Sequence, residues 1–459
     1  MRPFLFRPID IASLCFFRFI FGLLALIEII SVYIYQRWWL KAWVPDQFRF
    51  KYYGFEWVEP LPEPLLTLVF LITMVAAVGI MLGWHYRLST AIWTLGFLYS
   101  FMLEKAFYLN HAYLFSVVSM VMIFLPAHRN YSLDAWQGRV ARVKHIPYWP
   151  VFMLCFLMGL VYFYGGIAKM NPDWLNGLPL KVWLKYKKDY FIIGPLLGKE
   201  WVAYAMSYGG LLLDLFVTFF LIFKRTRMMA FLAVISFHLI NMMVFQIGIF
   251  PWFSTTITAM FFTSDFPRRV FNWLGAKIKK LQMLFDKWDT AWQSIPEKDL
   301  HQSSVGKNWI LTLIVILCTI QILIPLRQHF YEGNTAWTEN GHRGAWRMML
   351  RGKSGRGSFI VLEEGTDRKE KIRPRDFLYK RQERKLFGQP DMILEFAHFL
   401  KKKKEQEGWK NPIVYADIKV RLNGRKYARY VQKDFDLGSW EWKFMESPEW
   451  LLEEPEREE

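Results

Sequence analysis

The residues best suited to chemistry in this 459-residue chain lie between Tyr162 and Trp174, in the run YFYGGIAKMNPDW. A long apolar stretch, Val151 to Ile167, ends there, and Lys169 stands where it gives way to polar loop. Desolvation at such a depth disfavours the ammonium, and a neutral amine is a competent base near neutral pH. The plain alternative is a lysine that snorkels to a membrane surface. Gly165 and Gly166 leave room for a neighbouring helix or a flat ligand to approach closely. Other polar groups inside apolar runs or at their ends are few: Arg18, Glu28, Glu104, Lys105, His111, Asp214, His238 and Asn241. In hydrocarbon such groups turn inward and find partners, so together they imply a polar cavity within a helical bundle.

The elements that must position this set are membrane helices. The chain is 53% hydrophobic and 18% aromatic, with its polar material concentrated after about residue 264, so an integral membrane part precedes a soluble part. Nine apolar runs are candidate spans: Ile11 to Tyr35, Leu65 to Leu82, Ala91 to Leu103, Ala112 to Leu125, Val151 to Ile167, Gly209 to Phe223, Met228 to Ile247, Ile249 to Phe262 and Trp309 to Pro325. Ala91 to Leu103 and Ile249 to Phe262 fall short of the ~20 residues a bilayer core asks for. The first run is long enough to span and lacks a small-residue cleavage site, so it should remain as an anchor.

With the N-terminus inside, the inner loops carry 18 basic residues against 11 in the outer loops. That bias places Lys169 and everything after Pro325 on the outer side. The net charge of +18 is scattered through these loops, where it suits anionic headgroups rather than nucleic acid. Cys15, Cys155 and Cys318 all lie in apolar runs and read as small core residues. Phe271 to Phe285 alternates apolar and basic residues at helical spacing, an amphipathic helix on the inner surface.

The soluble part reads as β-rich with one helix. Phe359 to Glu364 ends at Gly365, and Asn423-Gly424 between Ile413 to Leu422 and Arg425 to Val431 signals a hairpin. Pro390-Asp391 opens a helix whose last turns, Lys401 to Lys404, should be solvated. The acidic tail Glu453 to Glu459 should fray. The expected fold is therefore a polytopic α-helical membrane bundle of about 8–9 transmembrane helices, residues 1–326 with a cytoplasmic amphipathic segment at about 264–308. A small β-rich extracytoplasmic domain, residues 327–459, follows it.

Seven blocks stand in order along the chain: FRFIFGLL (17–24), MLGWHYRLS (81–89), NHAYL (110–114), VYFYGGIAKMNPDW (161–174), GGLLLDL (209–215), FHLINMMVFQIGIFPW (237–252) and NTAWTENGHRGAWRMML (334–350). Together they resemble the vitamin K-dependent gamma-glutamyl carboxylases and their bacterial relatives with the horizontally transferred transmembrane domain. The resemblance implies that Lys169 is the base that deprotonates reduced vitamin K, with His111 and Asn110 as catalytic partners. It implies quinone or substrate contacts at His238 and Asn241, and substrate contacts at Trp337, Trp346, Arg347 and Arg351. The implied cofactor is phylloquinol or menaquinol, with O2 and CO2 as co-substrates and no metal. The implied partners are a glutamate-containing protein, the lipid bilayer and the quinone. Two departures stand out: Ala168 replaces the first of two adjacent lysines, and no cysteine lies in the outer loops to form the vertebrate disulfide. The resemblance points to glutamyl γ-carboxylation. Quinol oxygenation without carboxylation, and a non-enzymatic membrane scaffold or transporter, are the competing readings.

Overall fold

The computed structural model describes residues 2–36, 43, 47–190, 193–245, 247–278, 283, 304–443 and 445–456. Among the described residues, the apolar half forms ten helices of nine residues or more. They are α1 (Ala12–Ile30, continued by a π-helical turn, Ser31–Tyr35), α2 (Glu63–Leu82), α3 (Tyr86–Met102), α4 (Asn110–Met122) and α5 (Trp149–Lys169). Then come α6 (Glu200–Ile222), α7 (Arg227–Val244), α8 (Phe250–Thr258), α9 (Phe266–Lys277) and α10 (Ser304–Leu326).

Among the described residues, six helices are long and apolar enough to cross a membrane: α1, α2, α5, α6, α7 and α10. The shorter α3, α4 and α8 have 17, 13 and 9 residues, so an eight- or nine-span count would rest on helices below full crossing length. Burial separates their roles. In α5, 72% of the apolar window is buried, against 17% in α10, so α5 is the central pillar and α10 presents its apolar side outward. Two helix pairs meet backbone to backbone because glycine permits it. A Cβ on Gly22 would lie 2.4 Å from Met81 N, and one on Gly166 would lie 2.7 Å from Leu215 N. Strand β1 (Pro8–Asp10) pairs antiparallel with β2 (His145–Pro147) just ahead of α5. Strands this short carry too little alternation to be read from sequence.

The C-terminal region contains β3 (Lys353–Glu363), β4 (Lys369–Ile372), α11 (Lys380–Leu386), α12 (Pro390–Gln406), β5 (Pro412–Leu422) and β6 (Ala428–Arg429). The sheet is antiparallel in the order β4-β3-β5-β6. Its inner face, including Phe359, Val361, Ala416 and Ile418, shares a core with Ile393, Phe396 and Leu400 of α12.

Several expectations need correction. The first strand begins at Lys353 rather than Phe359, and α11 is a helix beyond the one expected. After Asn423-Gly424 the returning strand is short: Ala428 and Arg429 pair with Val420 and Lys419, and Tyr430 N donates to Ile418 O at 2.9 Å. Lys404 is buried, bonded to Glu370 and Glu407 at 2.6 Å each, so the lysine run is not wholly solvated. Glu454 is held by Asn334 and Arg425, so the acidic tail is anchored at that point. The helix expected over Phe271 to Phe285 starts earlier, at Phe266, and residues 279–282 and 284–303 lie outside the described residues. Glu104 and Lys105 pair with the C-terminal region: Glu104 accepts from Gln382 at 2.7 Å, and Lys105 bridges Asp391 and Glu395 at 2.8 and 2.9 Å.

Candidate active site

The residues after α5 fold as a unit. Asn171 Oδ1 accepts from Trp174 N at 3.0 Å, and Pro172 opens the turn Pro172–Leu175, the order that helix starts favour. The turn brings Trp174 back beside the lysine. Its ring centroid lies 5.4 Å from Lys169 Nζ, and its Nε1 donates to Ser207 O at 2.8 Å. Lys169 is 5% exposed, so it does not snorkel. Its Nζ donates to Asp214 Oδ2 at 2.5 Å and to Gly165 O at 3.3 Å. Asp214 reaches it because Gly165 and Gly166 let α6 come close: a Cβ on Gly165 would sit 3.1 Å from Asp214 Oδ2.

The pair opens onto a cavity of about 1060 Å³. Asn110 and His111 enter it from the start of α4, His238 and Asn241 from α7, and Glu28 from α1. Much of the remaining wall is apolar, including Val161, Leu213, Ile249 and Phe250. His238 Nε2 lies 2.7 Å from Ser254 Oγ and 3.4 Å from Tyr162 OH, while its buried Nδ1 has no partner among the described residues. The rings of His111 and His238 lie 6.1 and 5.8 Å from the ring of Phe250, which both approach. Asn110 Oδ1 accepts from Tyr108 OH at 3.0 Å. All five residues expected to serve catalysis or cofactor binding (Lys169, His111, Asn110, His238, Asn241) therefore line one cavity.

The four expected substrate contacts do not stay together. Arg347 lines the cavity, where burial and the nearby Arg351 lower its guanidinium to about 10. Trp337 is core: its Nε1 donates to Leu452 O at 2.7 Å and its ring meets Tyr430 edge-on. Trp346 is buried against Tyr113 at 5.4 Å. Arg351 is engaged by Glu339 through both Nε and Nη2. These three are placed by packing and ion pairing away from the cavity wall. The C-terminal region supplies instead Arg381, from α11.

A second junction ties the lysine-bearing loop to the sheet. Asp173 accepts from Asn423 Nδ2 at 2.6 Å and forms an ion pair with Arg425. Asn423 Oδ1 accepts in turn from Gly352 N at 2.7 Å. The hairpin turn is thus fastened one residue from Trp174, on the side of the bundle where α5 ends.

Residues 6–266 match the HTTM domain family, and residues 306–457 match the vitamin K-dependent gamma-carboxylase, lumenal domain. The chain belongs to the vitamin K-dependent gamma-carboxylase family. No solved structure matches it. Membership of the gamma-carboxylase family implies a membrane protein with an extracytoplasmic domain, vitamin K as cofactor and glutamate-containing protein substrates. For a gamma-carboxylase relative, sequence reasoning missed three features of the site. Asp214 stood out only as one intramembrane polar group, although a carboxylate in hydrocarbon calls for a cation and Lys169 was the nearest in type and depth. Trp174 closed the stretch that the sequence singled out but was given no role, and Arg381 had no signal beyond its residue type.

Proposed function

We propose that this protein is a membrane carboxylase that converts glutamyl to γ-carboxyglutamyl residues, using O2, CO2 and a reduced vitamin K-type quinone. One observation carries the reading: the buried Lys169–Asp214 pair faces a large, mostly apolar cavity shared with two histidines and two asparagines. The residues present fit a reduced naphthoquinone. The walls suit an isoprenoid ring system, and the unpartnered His238 Nδ1 offers it a hydrogen bond. When bound, the reduced quinone supplies chemistry no side chain has, because its oxidation by O2 to the epoxide generates a base strong enough to take a glutamyl γ-proton before CO2 adds to that carbon.

The protein's own part is narrower. Lys169 and Asp214 take the first proton as a pair: whichever of them holds the proton they share, the pair has room for one more. His111 and Asn110 stabilise negative charge that develops nearby, where water cannot compete. His238 and Asn241 orient the ring. Arg347 and Arg381 draw the carboxylate of the substrate to the lumenal end of the cavity. We place the N-terminus inside, with residues 1–326 as the membrane domain and 327–459 outside, following the basic-residue bias.

The test is to incubate purified protein with reduced vitamin K, labelled bicarbonate and a glutamyl peptide. Label in the peptide together with epoxide is expected. Epoxide without fixed label would replace the proposal by quinol oxygenation, and neither product would overturn it.

A further inference from the structure

A second concave site lies on the C-terminal sheet, a cleft of about 470 Å³ lined by Arg356, Lys371, Arg373, Arg375 and Lys419, with Asp417 and Glu383 as its acidic members. The ladder explains why these cations gather. Arg356 pairs with Lys419, Ser358 with Asp417 and Ile360 with both Lys371 and Tyr415, so their side chains share the face opposite the hydrophobic core. Strand β4 pairs only with Phe359 to Leu362, so the chain leaves β3 after Ile372 and Arg373 to Arg375 form the far wall. Over Lys353 to Ser358 that edge of β3 has no partner strand among the described residues.

Positive charge gathers in the cleft. Several cations elsewhere in the region are matched: Arg343 with Asp391, Arg351 and Lys353 with Glu339, Lys404 with Glu370, and Arg425 with Asp173. The five cleft cations make no ion pair among the described residues; Arg356 instead stacks on Tyr427 at 4.3 Å. Unmatched like charges at one concave surface repel each other unless a partner brings anions.

The cleft adjoins the cavity. Arg381 faces the cavity and Glu383 faces the cleft, and both belong to α11. Two residues apart on a helix is ~200° of rotation, so α11 is the wall between the two sites, ~10–12 Å thick. An extended chain covers that distance in about four residues.

We propose that this cleft holds an acidic, extended segment of the protein substrate while a glutamyl side chain about four or more residues away enters the cavity past Arg347 and Arg381. The proposal rests on the carboxylase reading for the identity of the partner, but the cleft's affinity for an acidic chain is a property of its own. Its open β3 edge supplies backbone hydrogen bonds of the strand-addition kind, and the cations supply selectivity.

The experiment measures binding without turnover, using the full chain in nanodiscs of zwitterionic lipid. A fluorescent peptide carries one glutamate and, six residues away, a run of four aspartates. It should bind about tenfold more tightly than its asparagine counterpart, with the difference lost at high salt. The triple variant Arg373→Glu, Arg375→Glu, Lys419→Glu should remove that difference and leave binding of a short peptide with glutamate alone unchanged. Arg373→Gln with Arg375→Gln, a milder change, should reduce it in part. Equal affinity for the acidic peptide in wild type and triple variant overturns the proposal. So does undiminished affinity when the aspartates adjoin the glutamate, or a triple variant whose only loss is attachment to anionic vesicles. Acidic-peptide binding that follows these rules in a protein forming no γ-carboxyglutamate would sink the carboxylase reading and leave the cleft standing.

Discussion

In the proposed mechanism the chemistry at Lys169 turns on where one proton goes. The amine is buried and lies against a carboxylate, a backbone carbonyl and an indole face. Lys169→Ala should lower quinol oxidation by about 10²–10⁴-fold, measured as epoxide formed, and an added small amine should restore part of it. Asp214→Asn should cause a loss of the same order without amine rescue, because the amine remains but its proton partner is gone. Normal turnover in either variant would remove the pair from the mechanism. A second residue-scale prediction concerns Glu339, outside the membrane. Burial alone would raise its carboxyl, but Arg351 and Lys353 outweigh burial and hold it at about 2. A folded-state value below the unfolded one stabilises above the unfolded pKa, and that stability is lost as pH falls from ~4.5 through 2. The amount is on the order of 3 kcal/mol. Glu339→Gln should therefore lower the melting temperature at pH 7 and flatten the acid limb of a tryptophan-fluorescence melting profile.

Helices and turns decide whether those residues meet. α5 and α6 touch because Gly166 has no side chain, so Gly166→Ala should force them apart and cost ~1–3 kcal/mol, read as a lower thermal midpoint in detergent. The turn at Asn423 grips Asp173, which precedes Trp174 beside the lysine. Asp173→Ala and Asn423→Ala should each reduce the rate of epoxide formation, and the double variant should do little more than either alone. A coupling of ~0.5–3 kcal/mol in that cycle is expected, and strict additivity would show that the grip has no part in placing the site.

For the whole molecule, the arrangement puts a mostly apolar cavity with a few polar groups where the greasy bundle meets the charged C-terminal region. Two arginines from that domain, Arg347 and Arg381, reach the cavity that the helices enclose. The proposed topology is open to direct measurement with exposed positions. In sealed vesicles of known orientation, Lys433→Cys should react with a membrane-impermeant maleimide from the outer side, and Lys224→Cys only from the inner side. Labelling of both from one side would overturn it.

By itself the sequence determined a membrane part followed by a sheet-containing part, and it singled out Lys169, His111 and His238, because apolar runs of spanning length make any ionisable group within them conspicuous. Strand β5 and helix α12 were legible for a similar reason: their periodicity is local. Tertiary structure decided the rest. That Asp214 holds the lysine, that Trp337, Trp346 and Arg351 stand off the cavity wall while Arg381 reaches it, and that Asn423 serves Asp173 as well as its own turn all depend on contacts between residues apart in the chain. Such contacts leave no periodic trace; they exist only once the helices and the sheet have been brought together by the apolar surface they bury.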